Sequence, residues 1–321
     1  MLPHPEIARV FGFQLPKGEL KSIYPYAPVY RLRNEAGDWI LKRTQKSLAK
    51  AHAVAAWTRS LAGRGLRVVT PADGFGENPR VFDSPDSQDE VWVVYPFLDG
   101  VAYVGDPAQI HAAGSLLGQI HAAGAYEDFG LKRQEGVVVV EADEVEGDIE
   151  GVLQSVRAAF PDFSAQAADI LTERTQRYFQ RSLPKMAETA LPLAACSWDY
   201  KASNIVYQSA ATPALIDPDN AACLPRAYDL AIAALLFHNE GMGPARLFTR
   251  EEWVMFLEGY QQHVDLTEAE KQAWDDLLLC AWVDEGLWLL RNDESGWSAP
   301  LQSRLLLSLL MTDLSVLAWV D

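Results

Sequence analysis

Apolar and polar residues alternate along Val29-Tyr30-Arg31-Leu32-Arg33, pass through Asn34-Glu35-Ala36-Gly37-Asp38, and resume in Trp39-Ile40-Leu41-Lys42. A period of two broken by Asn, Gly and Asp predicts a β-hairpin. From Lys46 to Gly63 the period lengthens, with Leu48, Val54, Trp57 and Leu61 on one helical face and Gly63 as a stop. Further strands are expected at Arg80–Asp83 and Val91–Tyr95, joined by the polar turn Ser84-Pro85-Asp86-Ser87-Gln88-Asp89. Pro96-Phe97-Leu98-Asp99-Gly100 then breaks the pattern. The boundary is placed there, giving a β-rich domain with one helix at 1–96 and a mainly helical domain at 97–321.

The second part reads as helices around a short irregular stretch. Asp106-Pro107 supplies an N-cap and a first-turn proline, and Ile110, Ala113, Leu117 and Ile120 recur at helical spacing up to Gly124. The acidic stretch Glu135–Glu150 is expected to be an exposed loop with a short strand around Val137–Val140. A helix follows over Ala165–Arg181, then short strands at Ile205–Tyr207 and Ala214–Ile216. Ala227–His238, Glu251–His263, Glu268–Leu290 and Pro300–Trp319 complete the helices. No internal repeat or low-complexity run is present.

Composition narrows the classes. With 321 residues, 49% hydrophobic and 22% charged, the chain is an ordinary globular protein with room for two domains. A net charge of −17 argues against a nucleic-acid partner, which requires clustered cations. The apolar run Leu305–Val320 is interrupted by Thr312, Asp313 and Ser315, so a packed helix is expected rather than a membrane span. Cys196, Cys223 and Cys280 form no C-x-x-C pair and read as small core residues of a reducing compartment. Met1-Leu2-Pro3-His4-Pro5-Glu6 has neither the basic nor the apolar region of a secretory signal, and a cytoplasmic location is expected. Nothing in the pattern speaks to oligomeric state.

The chemistry concentrates in Cys196-Ser197-Trp198-Asp199-Tyr200-Lys201-Ala202-Ser203-Asn204 and Leu215-Ile216-Asp217-Pro218-Asp219. An Asp, an Asn five residues on, and a second Asp after an apolar strand suit ATP-dependent phosphoryl transfer. One carboxylate takes the proton of an attacking hydroxyl, while an amide oxygen and the other carboxylate offer Mg²⁺ the hard ligands it requires. The same residues have plainer uses: Asx-turns for Asp199 and Asn204, a helix N-cap for Asp217, a surface position for Lys201. His121, in apolar company on a helix, reads as a hydrogen-bonded core histidine, and no second His stands at zinc-ligand spacing. Ser197 lacks a G-x-S-x-G elbow, which disfavours hydrolase chemistry.

Ile40-Leu41-Lys42, Val93–Gly100, Leu117-Gly118-Gln119-Ile120-His121, Ser197–Asn204, Ile216–Asp219 and Arg226-Ala227-Tyr228-Asp229-Leu230-Ala231 follow in an order that resembles one family. It is the family of aminoglycoside phosphotransferases, choline kinases and spore-coat kinase-like proteins, and the likeness spans roughly residues 20 to 235. The resemblance implies an α+β, protein-kinase-like two-lobe fold, with a small β-rich N-lobe and a larger helical C-lobe. It implies a phosphotransferase that uses Mg²⁺ and ATP on a hydroxyl of a small molecule, an aminoglycoside- or aminoalcohol-like acceptor among the options. Asp199 would be the catalytic base, and Lys201 would neutralise charge on the transferred group. Asn204 and Asp217 would hold the metal, with Asp219 a further metal or substrate ligand. Lys42 would reach the phosphates, and the backbone around Tyr95, Phe97 and Leu98 would receive adenine. The picture is of oxygen-bearing side chains converging between two lobes.

Three positions depart from the family pattern. Ser197 stands where a His precedes the base by two residues, with its hydroxyl expected to substitute by hydrogen bonding. Tyr24-Pro25-Tyr26-Ala27-Pro28 contains no glycine where a Gly-rich turn covers the phosphates. No acidic residue lies between Asp38 and Asp73 to pair with Lys42, and Gln45 and His52 are the nearest polar candidates. These departures motivate an alternative, a kinase-like nucleotide-binding regulatory protein with impaired or no catalysis.

Overall fold

The computed structural model describes residues 4–15, 21–24, 27–82, 89–125, 127–241 and 243–320. Pro25 and Tyr26 of the glycine-free segment, Asp83 of the expected strand and residues 84–88 of the expected polar turn lie outside them. Contacts divide the chain into two compact units. One comprises Met1–Asp99, Asp128–Leu131 and Ala214–Asp219; the other comprises Gly100–Glu127, Lys132–Pro213 and Asn220–Asp321.

The first unit is built on four antiparallel strands in the order β1-β2-β4-β3, where β1 is Val29–Asn34, β2 Gly37–Thr44, β3 Arg80–Phe82 and β4 Glu90–Pro96. Helix α1 (His4–Val10) precedes the sheet, and α2 (Leu48–Gly63) starts at an N-cap where Ser47 Oγ accepts the Lys50 N–H at 3.3 Å. The register sets Ile40 opposite Tyr95 and Lys42 opposite Val93. Period-two alternation therefore puts these four side chains on one face. The opposite face, with Tyr30, Leu32, Leu41, Trp92 and Val94, packs against Ile7, Ala8, Phe11 and Phe13. That packing accounts for α1, which seven residues including Pro5 would not sustain alone.

In the second unit, α3 (Pro107–Ala123) begins where Asp106 Oδ1 accepts the Ala108 N–H at 2.8 Å and proline follows at the first helical position. The acidic stretch is a loop over 135–141, without the expected strand, and a helix beyond it: α4 (Ala142–Ala159) buries Val145, Val152 and Val156 along one side while its acidic side faces water. Helix α5 (Ser164–Arg177) is shorter than expected and passes through a π-helical turn, Tyr178–Ser182, into α6 (Leu183–Glu188). Strand β5 (Leu193–Cys196) pairs antiparallel with β8 (Ala222–Pro225), a ladder too short for its pattern to stand out in the sequence. Between them lie β6 (Ile205–Tyr207) and β7 (Pro213–Leu215); the end of β7 returns to the first unit, where the Val69 N–H donates to Leu215 O at 2.9 Å.

Helices α7 (Arg226–Leu236), α8 (Arg250–Gln261), α9 (Glu268–Ala281), α10 (Leu287–Asn292) and α11 (Gln302–Met311) follow. The helix expected over Glu268–Leu290 is interrupted by a π-helical turn at Trp282–Gly286. The one expected over Pro300–Trp319 ends at Met311, because Asp313 instead caps a short 3₁₀ turn at Leu314–Leu317. Among the described residues no helix is long and apolar enough to cross a membrane. Cys196 and Cys280 are buried and Cys223 is half-buried, and all three are free thiols.

Helices α3 and α8 meet through glycine. A Cβ at Gly114 would lie 1.9 Å from Phe256 O, and one at Gly118 would lie 2.5 Å from Tyr260 O. Only hydrogen in those places lets the two backbones touch. The same approach brings His121 Nδ1 to 2.9 Å from Tyr260 Oη.

Candidate active site

The loop leaving β5 is held by a buried relay. Trp198 sits in the left-handed region at φ +51°, an arrangement costing a residue with a Cβ about 1–2 kcal/mol. What holds it is Asp229 on α7, whose Oδ1 accepts the Trp198 N–H at 2.8 Å. Asp229 Oδ2 in turn accepts from His121 Nε2 at 2.8 Å, and His121 is tied to Tyr260 on α8. Asp229 and His121 are only 1% and 0% exposed, so these bonds are their whole environment. His121, Cys196 and Asp229 come close enough to resemble a metal cluster, yet both imidazole nitrogens and both carboxylate oxygens are already committed. Among the described residues the buried Ser197 hydroxyl has no hydrogen-bond partner. It does not take over the missing histidine's bond; the loop is oriented by Asp229 instead.

The bent loop presents Asp199, about one-third exposed, with both carboxylate oxygens engaged. Oδ1 faces Lys201 Nζ at 3.3 Å, while Oδ2 accepts from Asn204 Nδ2 at 3.1 Å and Asn220 Nδ2 at 3.3 Å. Asn204 Nδ2 also donates to Asp199 O at 2.9 Å, which leaves the amide oxygen as its donor atom toward a cation. Lys201 is shared with Glu240 Oε2 at 3.1 Å. Burial alone would lower the Lys201 ammonium, but the charges of Asp199 and Glu240 outweigh it and hold it above the usual lysine range.

Glu285, on the π-helical turn, responds to the same loop. Burial, then the Asp284 and Asp199 carboxylates, push it up to about 7, against the Lys201 charge. Asn220, Glu240 and Glu285 were not anticipated from the sequence. Asn220 adjoins Asp219 and had a signal in that adjacency; the other two had none.

In the first unit, Lys42 Nζ lies 2.5 Å from Asp217 Oδ1 and 3.0 Å from Asp219 Oδ2. Its partners are thus these two carboxylates and not Gln45 or His52, and α2 carries no acidic residue at all. Burial again works to lower the ammonium, and the Asp219 and Asp217 charges reverse the sign and raise it. Beside it, Val69, Val93 and Tyr95 form an apolar cluster with Ile40, Leu98 and Ile216. Burial, then Asp219 and Asp217, hold the Tyr95 phenol well above its ordinary value. Tyr95 and Leu98 therefore share a surface near Lys42. Phe97 is placed otherwise: its N–H donates to Asp38 O at 3.0 Å, and its ring lies 3.6 Å beneath the Arg31 guanidinium.

The donor chemistry fits a divalent cation. Two carboxylates already close on one positive group at Lys42, and hard oxygens of this kind are what Mg²⁺ takes.

Comparison with known proteins bears on the arrangement. The model of a phosphotransferase enzyme family matches residues 26–277. No curated protein sequence matches. Among solved structures, amicoumacin kinase in complex with AMP-PNP and Ca²⁺ is 18% identical, with 94% of this chain and 92% of that one covered and a TM-score of 0.63. A microcompartment-associated aminopropanol kinase is 15% identical over 94% and 98%, TM-score 0.58. An aminoglycoside phosphotransferase from Alicyclobacillus acidocaldarius is 14% identical over 96% and 95%, TM-score 0.57. At these identities the likeness shows the fold: α+β, protein-kinase-like, with a small antiparallel sheet and a mostly helical remainder.

Proposed function

The chain belongs to the phosphotransferase enzyme family, and from that premise we propose that it is a Mg²⁺- and ATP-dependent small-molecule kinase acting on a hydroxyl. The observation that carries the proposal is the convergence of Asp217 and Asp219 on a single cationic group, Lys42. Asp199 accepts the proton of the acceptor hydroxyl as its oxygen bonds to the γ-phosphorus and the bond to the β-phosphate oxygen breaks, releasing ADP. Asn204 and Asn220 fix the rotamer of Asp199, so its basic oxygen is aimed before substrate arrives. Lys201 offsets charge on the transferred group. With nucleotide bound, Lys42 would turn to the phosphates, Asp217 and Asp219 would serve as ligands for Mg²⁺, and Asn204 would offer its amide oxygen as a further one. The metal, when bound, neutralises and aligns the phosphate oxygens. Ile40, Val69, Val93, Tyr95 and Leu98 offer adenine an apolar face.

Asp199→Ala tests the reading directly. Phosphate transfer to a panel of amino alcohols and aminoglycosides, followed by ³¹P NMR, is expected to fall about 10²–10⁴-fold. An unchanged rate refutes the proposal. The absence of any acidic side chain on α2 favours a second reading, a nucleotide-binding regulatory protein with impaired or no catalysis. It predicts stabilisation by ATP with Mg²⁺ and no turnover on any acceptor, and measurable turnover ends it.

A further inference from the structure

The segment after α7 turns back onto the loop that carries Asp199. Phe237 O accepts the Ala202 N–H at 2.7 Å, and three residues later Glu240 Oε2 reaches Lys201 Nζ at 3.1 Å. Lys201 is thereby suspended between two carboxylates, with Asp199 Oδ1 at 3.3 Å on the same ammonium. Glu240 achieves this at φ +56°, in the left-handed region that is disfavoured for a residue with a Cβ. Its neighbours hold it there. The Arg246 carbonyl can only accept, so His238 Nδ1 donates to it at 2.6 Å and Nε2 accepts from Tyr103 Oη at 2.9 Å. Asn239 Oδ1 accepts from Gln302 Nε2 at 2.8 Å. Burial pushes the His238 imidazole down to about 4, so it stays neutral and this hydrogen-bond polarity persists at neutral pH.

A turn whose task was only to end a helix would place glycine at the left-handed position, and Gly241 is the very next residue. The fold instead accepts strain at a glutamate and anchors both preceding residues to distant elements. The physical consequence falls on Lys201. With one carboxylate partner, a long lysine collapses onto it and neutralises the group that must take up a proton. With two, its ammonium stays shared and its rotamers are restricted in advance.

Resting on the kinase reading above, we propose that Glu240 is a positioning residue for phosphoryl transfer, holding Lys201 beside Asp199 without letting it close on that carboxylate. Glu240→Gln is expected to lower kcat between about tenfold and about a hundredfold, with KM for ATP and acceptor changed less than about twofold. Calorimetric binding of ADP with aluminium fluoride weakens by the same factor as kcat, while binding of ADP alone is unchanged. Because Glu240 acts through Lys201, Glu240→Gln adds nothing further in a Lys201→Met background. Glu240→Asp, which keeps the charge on a shorter arm, recovers part of the rate and guards against a folding defect in the amide variant. An unimpaired Glu240→Gln enzyme, losses that multiply in the double variant, or no recovery with Asp overturns the assignment while transfer by the wild type stands. Full activity of Asp199→Ala overturns the underlying kinase reading instead.

Discussion

Replacing Glu285 by Gln should stabilise the protein, and only on the alkaline side. The carboxyl is buried beside Asp284 and Asp199 and is pushed from its ordinary 4.5 up to about 7. A folded-state pKa above the unfolded value means the folded protein keeps the proton longer. The burden on stability is therefore absent well below 4.5, grows as pH rises from 4.5 to about 7, and is complete above that. Opposing ionisation from 4.5 up to about 7 corresponds to about 3 kcal/mol, at 1.36 kcal/mol per pH unit. Gln is nearly the same size and carries no charge, so it removes the burden. Urea unfolding of both proteins at pH 8.5 is expected to favour the variant by about 3 kcal/mol, and at pH 5 by under about 1 kcal/mol. On heating, the alkaline gain corresponds to about 5 °C in Tm for a chain of this length. A gain of equal size at both pH values, or none at pH 8.5, would refute the argument that ionisation of Glu285 is opposed by the fold.

Two further outcomes follow from contacts described above. Gly114→Ala sets a methyl group 1.9 Å from Phe256 O and forces α3 and α8 apart, at a cost of about 3 kcal/mol or more; equal stability by urea titration would show that the helices can separate freely. Lys42→Ala exposes Asp217 and Asp219 to solvent cations without a competing ammonium. Calorimetry should then find Mg²⁺ binding without nucleotide to be tighter than in the wild type and ATP binding weaker, and the opposite order would contradict the role given to Lys42.

Much was legible in the chain because local chemistry wrote it there. The β1–β2 hairpin follows from alternation around a turn, the α3 start follows from Asp106, and Asp199, Asn204 and Asp217 were singled out as candidates by residue type and spacing. Where tertiary packing outweighed local pattern, the expectation failed. An acidic stretch became α4 because three valines find a buried face, and two long helices were interrupted by π-helical turns whose wider winding leaves no mark in apolar periodicity. Lys42 likewise found its partners 175 and more residues away, which no count along α2 could reveal.

The amino-acid sequence by itself determined which groups are candidates for the proposed chemistry: hard oxygens at a fixed spacing and a lysine on a strand. Those are properties of residue type and short spacing. Only the tertiary structure decided how the groups are held. Ser197 finds no hydrogen-bond partner among the described residues, Glu240 shares Lys201 with Asp199, and the Glu285 carboxyl is driven toward neutrality. Such effects depend on distance and burial, and both are created by segments far apart in the chain that meet only when it folds.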